Sequence, residues 1–188
     1  LVAIADEAGA VVGMITARNL ARRYIKESGE PYSFADRPVS PDLIVDVLGG
    51  EMLLRPERRL NGRLWAVTVD AASMGRTMGP HDIVVIGDRA DAQRRAVELG
   101  VALLVTTYGS RPGDEVVELA RRGGTGIVLS PLDSYVTGRL VSQSVPAREV
   151  MGRDPLTAEP DDLLSDIADR IKDVDYSAAI VVDGGGVP

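Results

Sequence analysis

Thr16 stands at the start of a helical pattern and Asn19 follows three positions later, so both side chains lie near one helix N-terminus. That end offers unpaired N–H groups and a partial positive charge, which suit a phosphate. Thr16 adds a hydroxyl, Arg18 a full charge, and Asn19 the donors and acceptors that can hold a sugar diol. A purely structural reading stands beside this one, with Thr16 as the helix cap and Asn19 on the surface. Far along the chain Tyr176, followed by Ser177 and Ala179, precedes the last apolar strand and offers an aromatic face. An ordinary strand-edge tyrosine is the alternative there. Asp173 and Asp175 beside it would repel a phosphate.

Other motifs read as structural. Gly87-Asp88-Arg89 follows a strand at the end where open α/β sheets bind ligands. Asp88 is also a natural N-cap for the next helix, and Arg89 a partner for an ion pair. Gly123-Gly124-Thr125-Gly126 precedes a strand and does not lead into a helix, so it is a turn and not a phosphate loop. His81, after Gly79-Pro80, is expected in a loop. No catalytic set emerges, because the carboxylates fall mostly at helix starts and on solvated faces.

Composition narrows the classes. With 21 Lys and Arg against 28 Asp and Glu the net charge is −7, which argues against wrapping a nucleic-acid polymer. The chain has no cysteine and one histidine, which excludes disulfides, thiolate metal sites and multi-histidine metal sites. No apolar run approaches the roughly 18–20 residues of a membrane span, and no basic-then-apolar leader opens the sequence. A cytoplasmic location is the expectation. The chain opens in an apolar strand and stops just past another, so it is expected to be an internal segment of a longer protein.

The elements that must position these residues follow from periodicity. Ile83–Ile86, Val101–Thr106 and Ile127–Leu129 are short apolar runs, each followed by a helix-like segment: Asp88–Leu99, Gly113–Arg122 and Asp133–Ser142. This alternation predicts parallel β-α-β units with both sheet faces covered. Ahead of them, Asp42–Gly49 reads as a short helix, and Gly50–Leu54 and Leu64–Val69 as strands that join the block. Ala71–Pro80 reads as a loop or ragged helix.

The flanks are of another kind. Val2–Ala5 and Val11–Ile15 form a predicted hairpin about the turn Asp6-Glu7-Ala8-Gly9. A helix follows from Ala17 to about Glu27, with Leu20, Ala21, Tyr24 and Ile25 as its apolar stripe, and residues 31–41 read as a Pro- and Ser-rich linker. At the far end Pro155–Ala158 is a strand, a helix runs to Lys172 with Leu163, Leu164, Ile167 and Ile171 on one face, and Ala179–Val182 is a strand closed by Asp183-Gly184-Gly185-Gly186. The two ends share strand, aspartate and glycine turn, a weak internal repeat.

Gly13-Met14-Ile15-Thr16-Ala17-Arg18-Asn19 resembles the closing half of a CBS domain. Val150-Met151, Pro155-Leu156-Thr157 and the strand ending in Val182-Asp183 resemble the opening half of another. Between them, Gly87-Asp88-Arg89, Leu132-Asp133-Ser134-Tyr135 and Arg139–Pro146 resemble a DRTGG domain. There is a departure: where that family carries Thr-Gly-Gly, this chain reads Thr106-Thr107-Tyr108-Gly109. The order is similar to the regulatory insert of CBS-containing, manganese-dependent family II inorganic pyrophosphatases.

The resemblance implies an α/β fold: a central DRTGG-type domain with a mostly parallel sheet, flanked by two partial CBS (β-α-β-β-α) units that would pair as a Bateman-type module. Its expected bounds are 1–30 for the second half of the first CBS unit, 31–41 for the linker, 42–146 for the DRTGG-like domain and 147–188 for the first half of the second CBS unit. It implies a homodimer that senses AMP, ADP, ATP or diadenosine polyphosphate through Thr16, Arg18, Asn19, Tyr176, Ser177 and Ala179, with Tyr176 stacking on adenine. It also implies Mn (or Mg or Co) in a catalytic domain outside this segment, where pyrophosphate is hydrolysed. Two other readings remain: a ligand-free dimerisation scaffold, and a DRTGG/CBS appendage of another enzyme such as a phosphate acyltransferase.

Overall fold

A computed structural model describes residues 1–20, 32–35, 37–174 and 176–188. The chain divides into two compact units, a central one of Gly29–Val145 and a terminal one made of Leu1–Ser28 with Pro146–Pro188.

The central unit is built on five strands: β3 (Glu51–Leu54), β4 (Leu64–Ala66), β5 (Ile83–Ile86), β6 (Leu103–Thr106) and β7 (Gly126–Leu129). Their spatial order is β3-β7-β6-β5-β4, with β4 to β7 parallel and β3 antiparallel at the edge beside β7. Every residue of β5, β6 and β7 is buried, as expected of a sheet covered on both sides. Alternation then divides the core. Ile83, Val85, Leu103, Val105 and Val128 pack with Ile44 and Leu48 of α1 (Pro41–Leu48) and Val141 of α5 (Ser134–Ser142). Val84, Ile86, Leu104 and Ile127 pack with Met74 of α2 (Ala71–Met74), Ala92 and Ala96 of α3 (Ala90–Glu98) and Val116 and Ala120 of α4 (Asp114–Gly123). Each such aliphatic side chain withdrawn from water contributes about 1.5–3 kcal/mol.

Local chemistry sets the element ends. Asp133 caps α5 by accepting from the N–H groups of Tyr135 (2.8 Å) and Val136 (2.9 Å). Gly49 and Gly124 end α1 and α4 in the left-handed conformation that glycine adopts without a Cβ clash. The buried carboxylate of Asp82 accepts from Arg63 N (2.7 Å), Trp65 Nε1 (2.9 Å) and Gly79 N (2.9 Å), tying β4 to the approach of β5.

The mixed α/β architecture with a mostly parallel central sheet is as the sequence predicts. Several local expectations change. Asp88 does not cap α3: Arg89 takes the N-cap position without a side-chain cap. The turn is held instead by Gln93 Nε2, which donates to the Gly87 carbonyl at 2.6 Å. Arg89 donates to the Val69 carbonyl at 2.9 Å and stands 3.9 Å from Asp91, so its main bond is to backbone. The 31–41 stretch read as a linker places Phe34, with no exposed surface, and Val39 in the core, bridged to Arg63 and Leu60 through Ser33 and Val39.

In the terminal unit β1 (Val2–Ala5) and β2 (Val11–Ile15) form the expected antiparallel hairpin, and residues 17–20 are helical. The later part of that helix, with Ala21, Tyr24 and Ile25, lies outside the described residues. A 3-10 turn (Ala147–Glu149) leads to β8 (Thr157–Ala158), α6 (Leu164–Ile171) and β9 (Ile180–Val181), with β8 and β9 parallel. Two apolar segments expected inside are open to solvent: Val2 of β1 is 58% exposed, and Leu163 and Leu164 are 67% and 82% exposed. Periodicity puts Leu163 and Leu164 on the apolar face of the segment that forms α6, but none of the described residues of this unit covers those two leucines.

Candidate functional site

The two chain ends meet backbone to backbone. Met14 N donates to the Gly152 carbonyl and Gly152 N to the Met14 carbonyl, each at 2.9 Å, and Val11 N donates to the Gly186 carbonyl at 3.0 Å. Gly13 makes the approach possible, since a Cβ at that position would stand 2.8 Å from the Gly152 carbonyl oxygen and collide with the Met151 side chain. This seam carries residues 152–155 alongside the end of β2, where Thr16 begins its helix.

Thr16 and Asn19 close on each other in a reciprocal cap. Asn19 N donates to Thr16 Oγ1 at 3.2 Å, while Asn19 Oδ1 accepts from both Thr16 N and Thr16 Oγ1 at 2.7 Å. The geometry is that of a capping box with asparagine in the role usually taken by Glu or Gln. The donors that Thr16 could offer a phosphate are therefore already engaged by Asn19. Among the described residues, no hydrogen bond engages the Asn19 amide nitrogen.

Tyr176 closes the other side. Its hydroxyl accepts from Leu156 N at 2.8 Å and stands 3.5 Å from the Asp154 carbonyl, which pins the half-buried ring to the 154–156 segment. Between these groups lies a cleft of about 60 Å³ lined by Met14, Thr16, Asn19, Gly152, Asp154, Pro155 and Tyr176. Its volume is well short of the several hundred Å³ in which small molecules are usually enclosed. A larger ligand would seat one edge here and extend outward.

Of the residues expected from sequence, the structure brings Thr16, Asn19 and Tyr176 to one cleft. Arg18 and Ser177 are exposed and Ala179 half-buried, and these three do not line it. Met14, Gly152, Asp154 and Pro155 went unremarked as site residues. The one signal for them was Gly13, whose lack of a side chain marks a close backbone approach. Asp173 is exposed, and Asp175 lies outside the described residues.

The remaining motifs keep structural roles. Gly124, at φ +69°, turns α4 into β7, and His81 is an exposed loop residue whose carbonyl accepts from Gly62 N at 2.9 Å. Among the described residues no cluster of three or more His, Cys, Asp or Glu side chains could hold a metal ion, and no helix is long and apolar enough to cross a membrane.

Comparison with known proteins gives these features a context. The DRTGG domain family matches residues 43–144 and the CBS domain family residues 147–188. A cobalt-dependent inorganic pyrophosphatase of Clostridium perfringens is 32% identical over 183 residues, covering 96% of this chain and 33% of the relative. The "Probable manganese-dependent inorganic pyrophosphatase" of Thermotoga maritima is 25% identical over 181 residues, covering 94% of this chain and 32% of the relative. The chain thus spans about a third of the length of these curated relatives. Among solved structures it is similar to the CBS and DRTGG domains of the regulatory region of Clostridium perfringens pyrophosphatase, in complex with the activator diadenosine tetraphosphate. That similarity has a TM-score of 0.82 at 29% identity, over 99% of this chain and 82% of the other.

Proposed function

This chain belongs to the DRTGG domain family, and from that premise we propose that it is an adenine-nucleotide-sensing regulatory region of an inorganic pyrophosphatase. In this reading the segments 1–30 and 147–188 are halves of two CBS units paired in a Bateman-type module, around a DRTGG-like domain at 42–146. AMP, ADP, ATP or a diadenosine polyphosphate binds at the terminal unit, in contact with Thr16, Arg18, Asn19, Tyr176, Ser177 and Ala179. The parent hydrolyses pyrophosphate to phosphate on metal held by residues outside this chain, with Mn or Co suggested by the relatives' names. The ligand controls that reaction through differential affinity: it shifts the parent only as far as it prefers one arrangement of the paired units.

The observation that carries the reading is the meeting of Thr16 and Asn19, from one end of the chain, with Tyr176, from the other, around one cleft. The solved relative, bound to diadenosine tetraphosphate, supports the same ligand class. Calorimetric titration of AMP and of diadenosine tetraphosphate into this chain tests it, with Asn19→Ala in parallel. The variant is expected to bind more weakly. Equal heats for the two proteins would remove Asn19 from the site.

A dimerisation scaffold is the second reading, favoured by the exposed Val2, Leu163, Leu164 and Val181 of the terminal unit. The two separate on melting: a sensor's midpoint rises in millimolar nucleotide, by mass action, and a scaffold's stays where it is.

A further inference from the structure

Exposed apolar side chains on a folded unit are ordinarily scattered singly, and in the central unit they are not. Among its described residues, the large hydrophobic side chains left open to solvent are Val69, Tyr108 and Tyr135. They follow β4, β6 and β7. Because those strands run parallel, all three residues stand at the one edge of the sheet where the strands end.

The two tyrosines are stitched side by side. Tyr108 N donates to the Leu132 carbonyl at 2.9 Å and Gly109 N to the Ser130 carbonyl at 2.7 Å. The hydroxyls of Thr107 and Ser134 share a hydrogen bond at 3.3 Å, and Tyr108 and Tyr135 are the next residue along each segment. Each tyrosine is 75% exposed, and among the described residues neither hydroxyl makes a hydrogen bond. The Arg139 guanidinium stands 6.0 Å from the centre of the Tyr135 ring, a cation–π distance. Tyr108 is held at φ +54°, and strain of this kind gathers where a surface recognises something.

Tyrosine and arginine are the side chains that dominate protein–protein interfaces. The charges around them identify the partner. Arg111, on the loop after β6, is exposed, as are Asp88 after β5 and Asp114 at the start of α4. None of the three makes a hydrogen bond or ion pair among the described residues. An edge that leaves a cation and two anions open beside an aromatic pair is complementary to itself. A two-fold axis across it sets tyrosine against tyrosine and brings Arg111 toward the carboxylates of the other copy, as an isologous contact requires.

We propose that this edge is a homodimer interface, in which the central units of two copies meet through Tyr108 and Tyr135. The contact is separate from the nucleotide cleft and from any pairing through the exposed residues of the terminal unit. It therefore stands or falls apart from both readings above.

The chain has no cysteine, so a single introduced thiol reports on its own surroundings alone. Tyr108→Cys, Tyr135→Cys, Leu164→Cys and, at the opposite end of α4, Arg122→Cys are each treated with a short bis-maleimide in dilute solution. The two tyrosine positions are expected to be trapped as dimers, and Arg122→Cys to stay single. Sedimentation of Tyr108→Ser/Tyr135→Ser should show a dimer dissociation constant at least roughly 10-fold above that of the parent chain, the loss expected at an interface hot spot. Melts at dilutions where the chain is a monomer, and the rings are free in either protein, confirm that the variant is folded. The proposal is overturned by trapping through Leu164→Cys alone, by failure of both tyrosine positions to trap, or by a double variant that dimerises as tightly as the parent. A parent chain that sediments as a monomer throughout overturns it too, and would mean that the tyrosines serve another partner.

Discussion

The hydroxyl of Tyr176 holds the backbone N–H of Leu156 at 2.8 Å, so an aromatic ring near the end of the chain fixes the segment that leads into β8. Tyr176→Phe keeps the ring and removes the acceptor, leaving Leu156 N to find water. A loss of about 1 kcal/mol is expected, read by urea denaturation. Nucleotide affinity should fall as well, because the ring loses its fixed orientation. A variant with unchanged stability and affinity would show that the bond positions nothing.

Gly13 carries the seam between the two ends. In Gly13→Ala the new methyl meets the Gly152 carbonyl oxygen at 2.8 Å as well as the Met151 side chain, and one strand must move. Overpacking of this kind costs about 1–3 kcal/mol. Hydrogen exchange gives the more specific readout: the Met14 and Gly152 amides, which bond to each other's residues, should exchange faster while those of β5 to β7 hold their protection.

Tyr108 is the non-glycine residue with positive φ among those described, at +54°, in the loop where the DRTGG family has Thr-Gly-Gly. Its N–H donates to the Leu132 carbonyl at 2.9 Å and its ring is 75% exposed. Left-handed backbone costs a residue with a Cβ about 1–2 kcal/mol, and little packing would be lost with so exposed a ring. Tyr108→Gly is therefore expected to raise the melting temperature. A fall would mean that the ring makes a contact whose loss outweighs the relieved strain.

Acid should weaken the central unit by a traceable route. The hydrogen bond from Arg55 lowers the pKa of Asp42, the bonds from Ser73 lower that of Asp70, and the bond from Arg94 lowers that of Glu98. A carboxylate with a depressed folded pKa contributes stability above its unfolded pKa and loses it as pH falls through the folded value. Stability is expected to drop below about pH 4, and the drop should be shallower in Asp70→Asn. The check is a set of denaturation curves from pH 7 to pH 3. Identical slopes for parent and variant would exclude Asp70 from the linkage.

The sequence spoke most clearly where burial is two-sided. Ile83–Ile86 and Leu103–Thr106 are unbroken apolar runs because both of their faces are covered, and such runs are readable without knowing the neighbours. The α3 start was misplaced by two residues because a side chain, Gln93, reaches back to the Gly87 carbonyl, a bond no spacing rule anticipates. Phe34 sat among Pro, Ser and Asp, and local composition hid a residue with no exposed surface. The candidate site was half visible. Thr16 and Asn19 lie within a few residues of each other and form a recognisable pattern. Asp154 and Met14 become neighbours through a backbone bridge between distant positions, which leaves no local trace beyond the bare Gly13.

Asp6 and Asp183 repeat one stitch. Each carboxylate accepts N–H groups two and four residues on, from Ala8 and Ala10 in one case and from Gly185 and Val187 in the other. Each turn ends on a glycine with positive φ, Gly9 and Gly186, and their chains touch where Val11 N meets the Gly186 carbonyl. The weak likeness of the two ends is thus a geometric identity. Chain entropy for joining two such clasps grows only with the logarithm of the length between them. The intervening module could accordingly grow, shrink or be exchanged over evolutionary time at little thermodynamic penalty, so long as both clasps survive.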